Sequence, residues 1–377
     1  MPRARNVALA FGAALLVKRA MGRRIEKSPL WPLPALDRPT SGTRGQRRTD
    51  TGASTGMRLT VTERDTVADG VVRLRLSGAE GAPLPAWEPG AHLDLVLPSG
   101  LVRQYSLCGD PAEADAYTVA TRLIGDGQGG RGGSREVHER LCVGTEVEVR
   151  GPRNRFPLVE APAYLFVAGG IGITPVLPML RAAEAAGARW HLVYGGRTRA
   201  SMPFLEDIAK LGGPRGTVTL VPEDEAGLPD LAAALAWAPP EAAVYCCGPE
   251  PLMAALGALC AQDPPGGGFH LERFAPAAGP GPGGSGGSGE DSAFEVELRR
   301  SGTTLTVPAD TTALAAIREV RPDTAYSCAQ GFCGTCQTRV LEGAVDHRDE
   351  LLTDSERDGS MLICVSRARD GRLTLDM

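Results

Sequence analysis

Residues 328–336 read CAQGFCGTC, so three cysteines follow one another in a C-x4-C-x2-C pattern. A further cysteine comes 28 residues after the last of them. This is the spacing of plant-type [2Fe–2S] sites, in which four thiolates hold the irons. Gly331 and Gly334 lie between the cysteines and would let the loop wrap closely around a cluster. The predicted metal ligands are Cys328, Cys333, Cys336 and Cys364.

Free thiols and a zinc site are the alternatives for these cysteines. Zinc sites favour two C-x2-C pairs, and this unit has one. A Rieske centre needs two histidine ligands, and His347 is the only histidine between residues 292 and 377. The nine cysteines are unevenly placed along 377 residues, which is untypical of a disulfide-rich secreted protein. The cluster is therefore the favoured prediction.

The chain before this unit shows two other patterns and a linker. Residues 57–160 hold six short alternating or β-branched segments separated by Gly, Pro and Asp, which predicts a small antiparallel β-barrel. Residues 161–274 alternate strand and helix patterns, which predicts a parallel α/β domain. Residues 275–291 are rich in Gly, Pro and Ser and predict a flexible linker. As a coil, the linker would reach roughly 20–25 Å to the third domain, residues 292–377.

Two motifs of the predicted barrel suit a flavin. Residues 103–111 read RQYSLCGDP, in which a Tyr face could cover an isoalloxazine, a Ser hydroxyl could reach N5, and an Arg could meet a phosphate. An ordinary strand is the alternative. Residues 131–138 read RGGSREVH, where Gly132 and Gly133 would expose backbone N–H groups ahead of a helix capped by Ser134. One phosphate site without a second Gly-rich segment favours FMN over FAD.

The α/β domain carries a glycine-rich turn. Residues 167–180 read VAGGIGITPVLPML, a buried strand followed by a helix with Thr174 as its predicted N-cap and Gly187 as its stop. The glycines would let a pyrophosphate approach the helix start. The pattern is not G-x-G-x-x-G, so this fingerprint is weak when taken alone.

Two later segments of this domain end strands. In YGGRTRAS, residues 194–201, Arg197 and Arg199 could bind the 2′-phosphate of NADPH, and solvated arginines are the alternative. YCCGPEPLM, residues 245–253, places Cys247 at the carboxyl edge of the sheet, where such folds bind ligands. The preceding Cys246 is interpreted as a small buried apolar residue.

Residues 1–56 form a basic extension with eleven Lys and Arg against three Asp and Glu. The rest of the chain has a net charge of −13, which excludes a typical nucleic-acid binder. The longest apolar run, Val7–Val17, is shorter than the roughly 20 residues of a spanning helix. Val7–Ile25 is predicted as a basic amphipathic helix followed by a loose tail, and a poorly ordered extension is the alternative. We expect weak peripheral membrane contact through residues 1–25 and a monomeric, cytoplasmic protein.

Over residues 57–377 these motifs, in this order, resemble the phthalate dioxygenase reductase family, also called the vanillate O-demethylase reductase type. The resemblance implies an FMN barrel, an NAD domain and a C-terminal ferredoxin domain of β-grasp type. The basic extension and the long glycine-rich linker depart from the usual pattern. The motifs that carry the resemblance are RQYSLCGDP, GRGGS, GPRNRFPL, GGIGITP, YCCGP, HLERF and the cysteine cluster.

The motifs and the resemblance together assign candidate residues to each cofactor. The candidate FMN contacts are Arg103, Gln104, Tyr105, Ser106, Thr121, Gly132, Gly133, Ser134 and Thr174. The candidate nucleotide contacts are Gly170, Gly172, Arg197, Arg199, Cys247, Gly248 and Pro249. Phe274, in HLERF, is implied to lie beside the flavin, and the candidate catalytic residues are Ser106, Thr174 and Cys247.

The implied activity is electron transfer from NAD(P)H through FMN and the [2Fe–2S] cluster to a separate oxygenase. NADH is the expected donor, with NADPH in competition. The expected acceptor is a Rieske oxygenase or a cytochrome P450, and a membrane desaturase is the remaining alternative. A non-enzymatic iron–sulfur redox sensor or docking module is the alternative from another class, although a sensor would not need three complete cofactor sites.

Overall fold

The computed structural model describes residues 56–125, 132–211, 213–274, 291–349 and 351–377. The predictions made for the basic extension and for the linker fall, apart from Gly56 and Asp291, outside the described residues. They stay predictions. Among the described helices, none combines the length and the apolarity that crossing a membrane requires.

Six strands of the first described domain form one antiparallel sheet in the order β4-β3-β6-β1-β2-β5. A bridge between Leu107 and Val119 joins the chain after β4 to β5 and so closes the barrel. Apolar side chains alternate inward, as Leu74 and Leu76 do, while the intervening arginines point outward. The elements are β1 (Met57–Ala68), β2 (Val71–Ser77), β3 (Ala91–Val96), β4 (Val102–Ser106), β5 (Ala116–Arg122), α1 (Gly133–Arg140) and β6 (Glu146–Asn154).

Within residues 163–272 as described, five parallel strands form a second sheet in the order β11-β10-β7-β8-β9. Every residue of β7 is buried, because helices cover both faces of a parallel sheet. The strand order reverses at β7, which creates a crevice beside its carboxyl end. The strands are β7 (Ala163–Gly169), β8 (Arg189–Gly196), β9 (Gly216–Pro222), β10 (Ala243–Cys247) and β11 (Phe269–Glu272). The helices are α2 (Ile173–Ala185), α3 (Leu205–Leu211), α4 (Glu223–Ala226), α5 (Leu231–Trp237) and α6 (Glu250–Gln262).

The start of α2 differs from the sequence prediction. Its N-cap is Gly172, preceded by a short 3₁₀ turn at Gly170–Gly172, and Thr174 already lies inside the helix. The Thr174 hydroxyl donates to the carbonyl of Ile171 at 2.9 Å, so Thr174 as N-cap was wrong. The expected stop was correct, since Gly187 adopts φ +67° just after the helix.

The third described domain is a mixed sheet in the order β13-β12-β18-β14-β16, with parallel β12 and β18 at its centre. Helix α7 packs its apolar face onto this sheet and is capped by Thr312, whose hydroxyl accepts from the N–H of Ala315. This is the expected α+β ferredoxin architecture. The elements are β12 (Phe294–Leu298), β13 (Thr303–Val307), α7 (Ala313–Val320), β14 (Gln337–Glu342), β15 (Val345–Asp346), α8 (Asp354–Arg357), β16 (Ser360–Leu362), β17 (Arg367–Ala368) and β18 (Arg372–Leu375).

The barrel and the α/β domain share a core. Phe156, just after β6, packs edge-on against Tyr245 of β10. The Tyr245 hydroxyl donates to the carbonyl of Pro157 at 2.9 Å. On the other side, Arg181 of α2 donates to the carbonyls of Cys108 and Gly109. These contacts set the end of β4 beside the crevice of the parallel sheet.

Candidate functional site

The first turn of α1 lies against the side chain of Arg103. Gly132 is the N-cap and adopts φ +76°, which favours glycine. A Cβ on Gly133 would lie 2.6 Å from Arg103 Nε, so a larger residue here would displace the Arg103 side chain from its place. The first N–H groups of a helix have no intrahelical partner. Together with the guanidinium they form a donor set that suits a phosphate.

Ser134 does not cap this helix. Its Oγ accepts a hydrogen bond from the N–H of Ile124 at 3.0 Å, which ties α1 to the chain after β5. The predicted cap was wrong because Gly132, two residues earlier, supplies the left-handed turn that starts the helix. Ser134 remains beside the phosphate donors, as a link between α1 and β5.

The rest of β4 carries the residues expected at the flavin ring. Burial raises the pKa of Tyr105, whose hydroxyl lies beside Thr121 of β5. Within the described chain, Gln104 Nε2 and His92 Nδ1 are buried without a hydrogen-bond partner. Buried polar atoms are normally paired, so these atoms fit a ligand that brings its own polar groups. The barrel residues therefore fit FMN at both its phosphate and its ring.

A buried hydroxyl and a half-buried carboxyl group meet where β4 and β11 end. Ser106 Oγ donates a hydrogen bond to Glu272 Oε2 at 3.2 Å. Burial raises the pKa of Glu272 from 4.5 to about 8, against the lowering effect of the Ser106 hydrogen bond. The carboxyl group therefore changes charge near neutral pH, as a group that exchanges protons should. The sequence prediction missed Glu272; its only signal was a carboxylate within HLERF, the motif used for Phe274.

Cys247 is the register partner of Glu272 on the neighbouring strand. Burial raises the pKa of the Cys247 thiol well above 9.0, and the Glu272 carboxylate adds to the rise. The thiol is therefore neutral and packs in the core beside α2. Cys246 is buried among apolar residues of a separate cluster, in agreement with its predicted packing role.

The glycine-rich turn packs directly against the end of β10. A Cβ on Gly172 would lie 2.1 Å from the carbonyl oxygen of Cys247, and one on Gly169 would lie 2.5 Å from Pro249 Cδ. A Cβ on Gly248 would lie 3.0 Å from Gly169 Cα. The glycines thus let the ends of two strands pack closely together at the crevice. Gly170, with φ +55°, borders open space.

The two arginines proposed for a 2′-phosphate are placed differently. Arg199 donates from Nε and Nη2 to the two carboxylate oxygens of Glu225, at 3.1 and 2.7 Å. Both side chains are about half exposed. Arg197 follows β8 directly in the chain. Its backbone carbonyl accepts a hydrogen bond from the N–H of Asp224. A phosphate would have to compete with Glu225 for Arg199.

Phe274 lies at the end of the described α/β domain and is 42% exposed. The preceding Arg273 is anchored by an ion pair with Glu250 of α6 at 3.1 Å. The aromatic ring is therefore outside the core, on a segment whose position is fixed. That placement suits a side chain that covers a ligand.

The cysteine loop brings its thiols together. Cys328 Sγ interacts with both Cys333 and Cys364, and Cys364 also interacts with Cys336. Gly331 and Gly334 adopt φ +82° and +74° in the loop. No three possible ligands of the described chain converge on a single ion. A [2Fe–2S] cluster does not need this, since its four thiolates are divided between two irons.

A cavity of about 230 Å³ connects the flavin residues with the cysteine loop. His92, Gln104 and Glu272 line it on the flavin side. Phe332 and Cys333 line it on the cluster side. Burial, aided by nearby arginines, lowers the pKa of His92 to about 3, so its imidazole is neutral. A predicted cluster ligand thus faces the space beside the predicted flavin site.

Comparisons with known proteins agree with this three-part site. The 2Fe-2S iron-sulfur cluster binding domain model matches residues 296–369, and the oxidoreductase NAD-binding domain model matches residues 166–257. The solved structure of phthalate dioxygenase reductase, described as a modular structure for electron transfer from pyridine nucleotides to [2Fe–2S], is 33% identical. That match covers 86% of this chain and 98% of the other, with a TM-score of 0.62. The chain belongs to the phthalate dioxygenase reductase family.

Two other relatives extend the comparison. The phenoxybenzoate dioxygenase subunit beta of Ectopseudomonas oleovorans is 41% identical over 315 residues, covering 82% of this chain and 94% of that protein. An intact type IV self-sufficient cytochrome P450 monooxygenase is 39% identical with a TM-score of 0.74. The match covers 85% of this chain but only 41% of that longer protein. As a member of the phthalate dioxygenase reductase family, the chain is an NAD(P)H oxidoreductase that uses FMN and a [2Fe–2S] cluster.

Proposed function

We propose that the protein takes electrons from NADH at the crevice between barrel and α/β domain and delivers them, through its cysteine loop, to a separate oxygenase. The observation that carries the proposal is the cavity shared by Glu272 and Cys333. Bound FMN would supply the conversion between two-electron hydride transfer and one-electron transfer. Arg103 and the first turn of α1 would hold its phosphate, and Gln104 would bind its ring.

The pair Ser106 and Glu272 would handle the proton of this reaction. A hydride consists of two electrons and one proton, so bound FMN that had passed both electrons on, one at a time through the cluster, would have one proton to release. Ser106 Oγ is hydrogen-bonded to Glu272 Oε2, which offers a site for that proton. A pKa near 8 lets the carboxylate accept the proton and release it again at neutral pH.

The proposed acceptor is a Rieske oxygenase, with a cytochrome P450 as the second candidate. The dioxygenase and phthalate dioxygenase reductase relatives favour the first. The second is supported by the self-sufficient P450, whose matched part resembles 85% of this chain. Purified acceptors of both classes should be mixed with the NADH-reduced protein, and the second-order rate of acceptor reduction compared. We expect the Rieske acceptor to be reduced faster, and a faster P450 would reverse the assignment.

Glu225 is expected to favour NADH over NADPH. In Glu225→Gln, Arg199 loses its carboxylate partner and becomes available to a 2′-phosphate. One charge-assisted hydrogen bond corresponds to about tenfold or more, so the NADPH/NADH ratio of kcat/KM should rise by that amount. Adding Arg197→Ala and Arg199→Ala should abolish the rise. If the NADPH/NADH ratio of kcat/KM stays the same in all these variants, Arg197 and Arg199 do not bind the 2′-phosphate.

The basic extension is proposed to give weak, salt-sensitive contact with an anionic membrane or with an acidic partner, on an otherwise cytoplasmic monomer. Each Lys or Arg near an anionic surface contributes about 1 kcal/mol. A protein beginning at Met57 should therefore keep NADH–cytochrome c activity and lose binding to phosphatidylserine vesicles at low salt. If the full chain shows no vesicle binding and truncation instead lowers the melting temperature, the extension stabilises the fold.

A further inference from the structure

One arginine of the barrel reaches into the ferredoxin domain. Arg155 follows the end of β6, and its Nη1 donates to Glu356 Oε1 of α8 at 3.0 Å. Its Nη2 donates to Gln337 Oε1 at the start of β14, immediately after Cys336. The guanidinium therefore contacts two elements of the ferredoxin domain, one of which begins directly after the cysteine loop.

The loop itself is shaped to accept this guanidinium. Gly334 adopts φ +74°, and a Cβ at this position would lie 3.5 Å from Arg155 Nε and 2.7 Å from Leu351 Cδ2. Arg155 and Leu351 also line the cavity that contains Cys333. The positive charge thus lies over the backbone between two predicted cluster ligands.

A second polar contact lies beside the first. The buried carboxylate of Asp94 on β3 forms an ion pair with Arg153 and interacts with the hydroxyl of Thr335. The Thr335 hydroxyl in turn accepts from Cys333 Sγ at 3.4 Å. The cysteine loop is therefore held by the barrel at two neighbouring points, one of which carries a cation.

Glu356, the carboxylate partner of Arg155, is ionised and held in position by its own helix. Burial tends to raise the pKa of Glu356, but hydrogen bonds from Thr353 and Arg155 lower it overall. Glu356 is also fixed by the N–H of Thr353 at 3.0 Å, as part of the capping box of α8. A fixed, ionised acceptor costs less side-chain entropy to engage than a free surface glutamate.

We propose that Arg155 is a positioning residue for flavin-to-cluster electron transfer, a latch that seats the cysteine loop on the barrel and adds a positive charge beside the cluster. The inference rests on the electron path proposed above. It has two separate physical effects. The latch favours the arrangement in which the cysteine loop is seated on the barrel, which shortens the distance between flavin and cluster. The positive charge of Arg155 stabilises the cluster once an electron has been added.

The test compares Arg155→Gln with Arg150→Gln in the full-length holoprotein. Arg150 lies on β6, five residues before Arg155, but its ion pair with Glu148 stays within the barrel. In Arg155→Gln the rate of cluster reduction after flavin reduction should fall about tenfold, the loss expected for one charge-assisted hydrogen bond. The reduction potential of the cluster, measured by EPR-monitored titration, should become more negative. The rate of NADH-to-flavin transfer should stay the same, and Arg150→Gln should match the wild type in all three measurements.

A charge exchange gives an independent check. Arg155→Glu and Glu356→Arg should each slow cluster reduction, and the double variant should recover most of the rate. The latch is overturned if Arg155→Gln equals Arg150→Gln in both rate and potential, or if the double variant recovers nothing. Failure of the wild-type cluster to accept electrons from NADH would instead refute the electron path itself, whatever Arg155 does.

Discussion

Replacement of Cys336 by Ser should remove the cluster and stop electron delivery to one-electron acceptors while flavin reduction continues. Cys336 lies beside Cys364 in the folded loop, and serine does not replace a thiolate ligand of iron. With the cluster gone, NADH–cytochrome c turnover should fall to a small residual rate, because the cofactor that passes single electrons to the acceptor is missing. The visible and EPR signals of the cluster should vanish in the same variant.

The matched control is Cys142→Ser. Cys142 is an exposed free thiol of the barrel, far in sequence from the loop. It should keep the cluster, the flavin and full turnover. If Cys336→Ser lost the flavin together with the iron, or if it kept fast cytochrome c reduction, the assignment of the flavin to the barrel and of the cluster to the ferredoxin domain would be wrong.

Replacement of Glu272 by Gln should leave the rate of hydride transfer nearly unchanged and lower the rate of steady-state turnover. The amide preserves the shape of the side chain and the contact with Ser106, but it cannot take up the proton that stays behind. Loss of such proton transfer lowers rates by about 10²-fold or more. Single-turnover flavin reduction by NADH should therefore change little, whereas steady-state turnover should fall and lose its pH dependence near pH 8.

The same substitution has a consequence for stability. Burial raises the pKa of Glu272 from 4.5 to about 8, so between these values the folded protein keeps a proton that the unfolded chain has lost. The free energy of unfolding of the wild type should therefore fall as pH rises through that window. Glu272→Gln should flatten the fall, while Glu241→Gln, an exposed glutamate, should keep it. An unchanged pH dependence in Glu272→Gln would contradict the buried-carboxyl assignment.

The broad architecture was readable from the sequence because it depends on local patterns. The alternation of β2 and the Gly187 stop each act over a few residues, and both predictions agree with the structure. The caps at Ser134 and Thr174 were wrong. In both places a glycine stands at the helix start: Gly132 because its φ of +76° favours glycine, and Gly172 because a Cβ there would collide with the carbonyl oxygen of Cys247.

The side-chain contacts between domains could not be predicted from local sequence patterns. Ser106 and Glu272 are 166 positions apart, and Arg155 lies 201 positions before Glu356. No short motif links residues that meet only after three domains have packed. The proton site and the latch therefore required the structure, although the motifs that carry them, HLERF and GPRNRFPL, stood in the sequence.

The most direct measurement of the electron path is an anaerobic stopped-flow experiment on the full holoprotein with one equivalent of NADH. Flavin absorbance should bleach first, and the cluster signal should then appear in freeze-quenched EPR samples at a rate independent of protein concentration. Concentration independence is required if the electron moves within one chain. A cluster that stays oxidised while the flavin is fully reduced, or a cluster rate that rises in proportion to protein concentration, would contradict the path from NADH through FMN to the cluster.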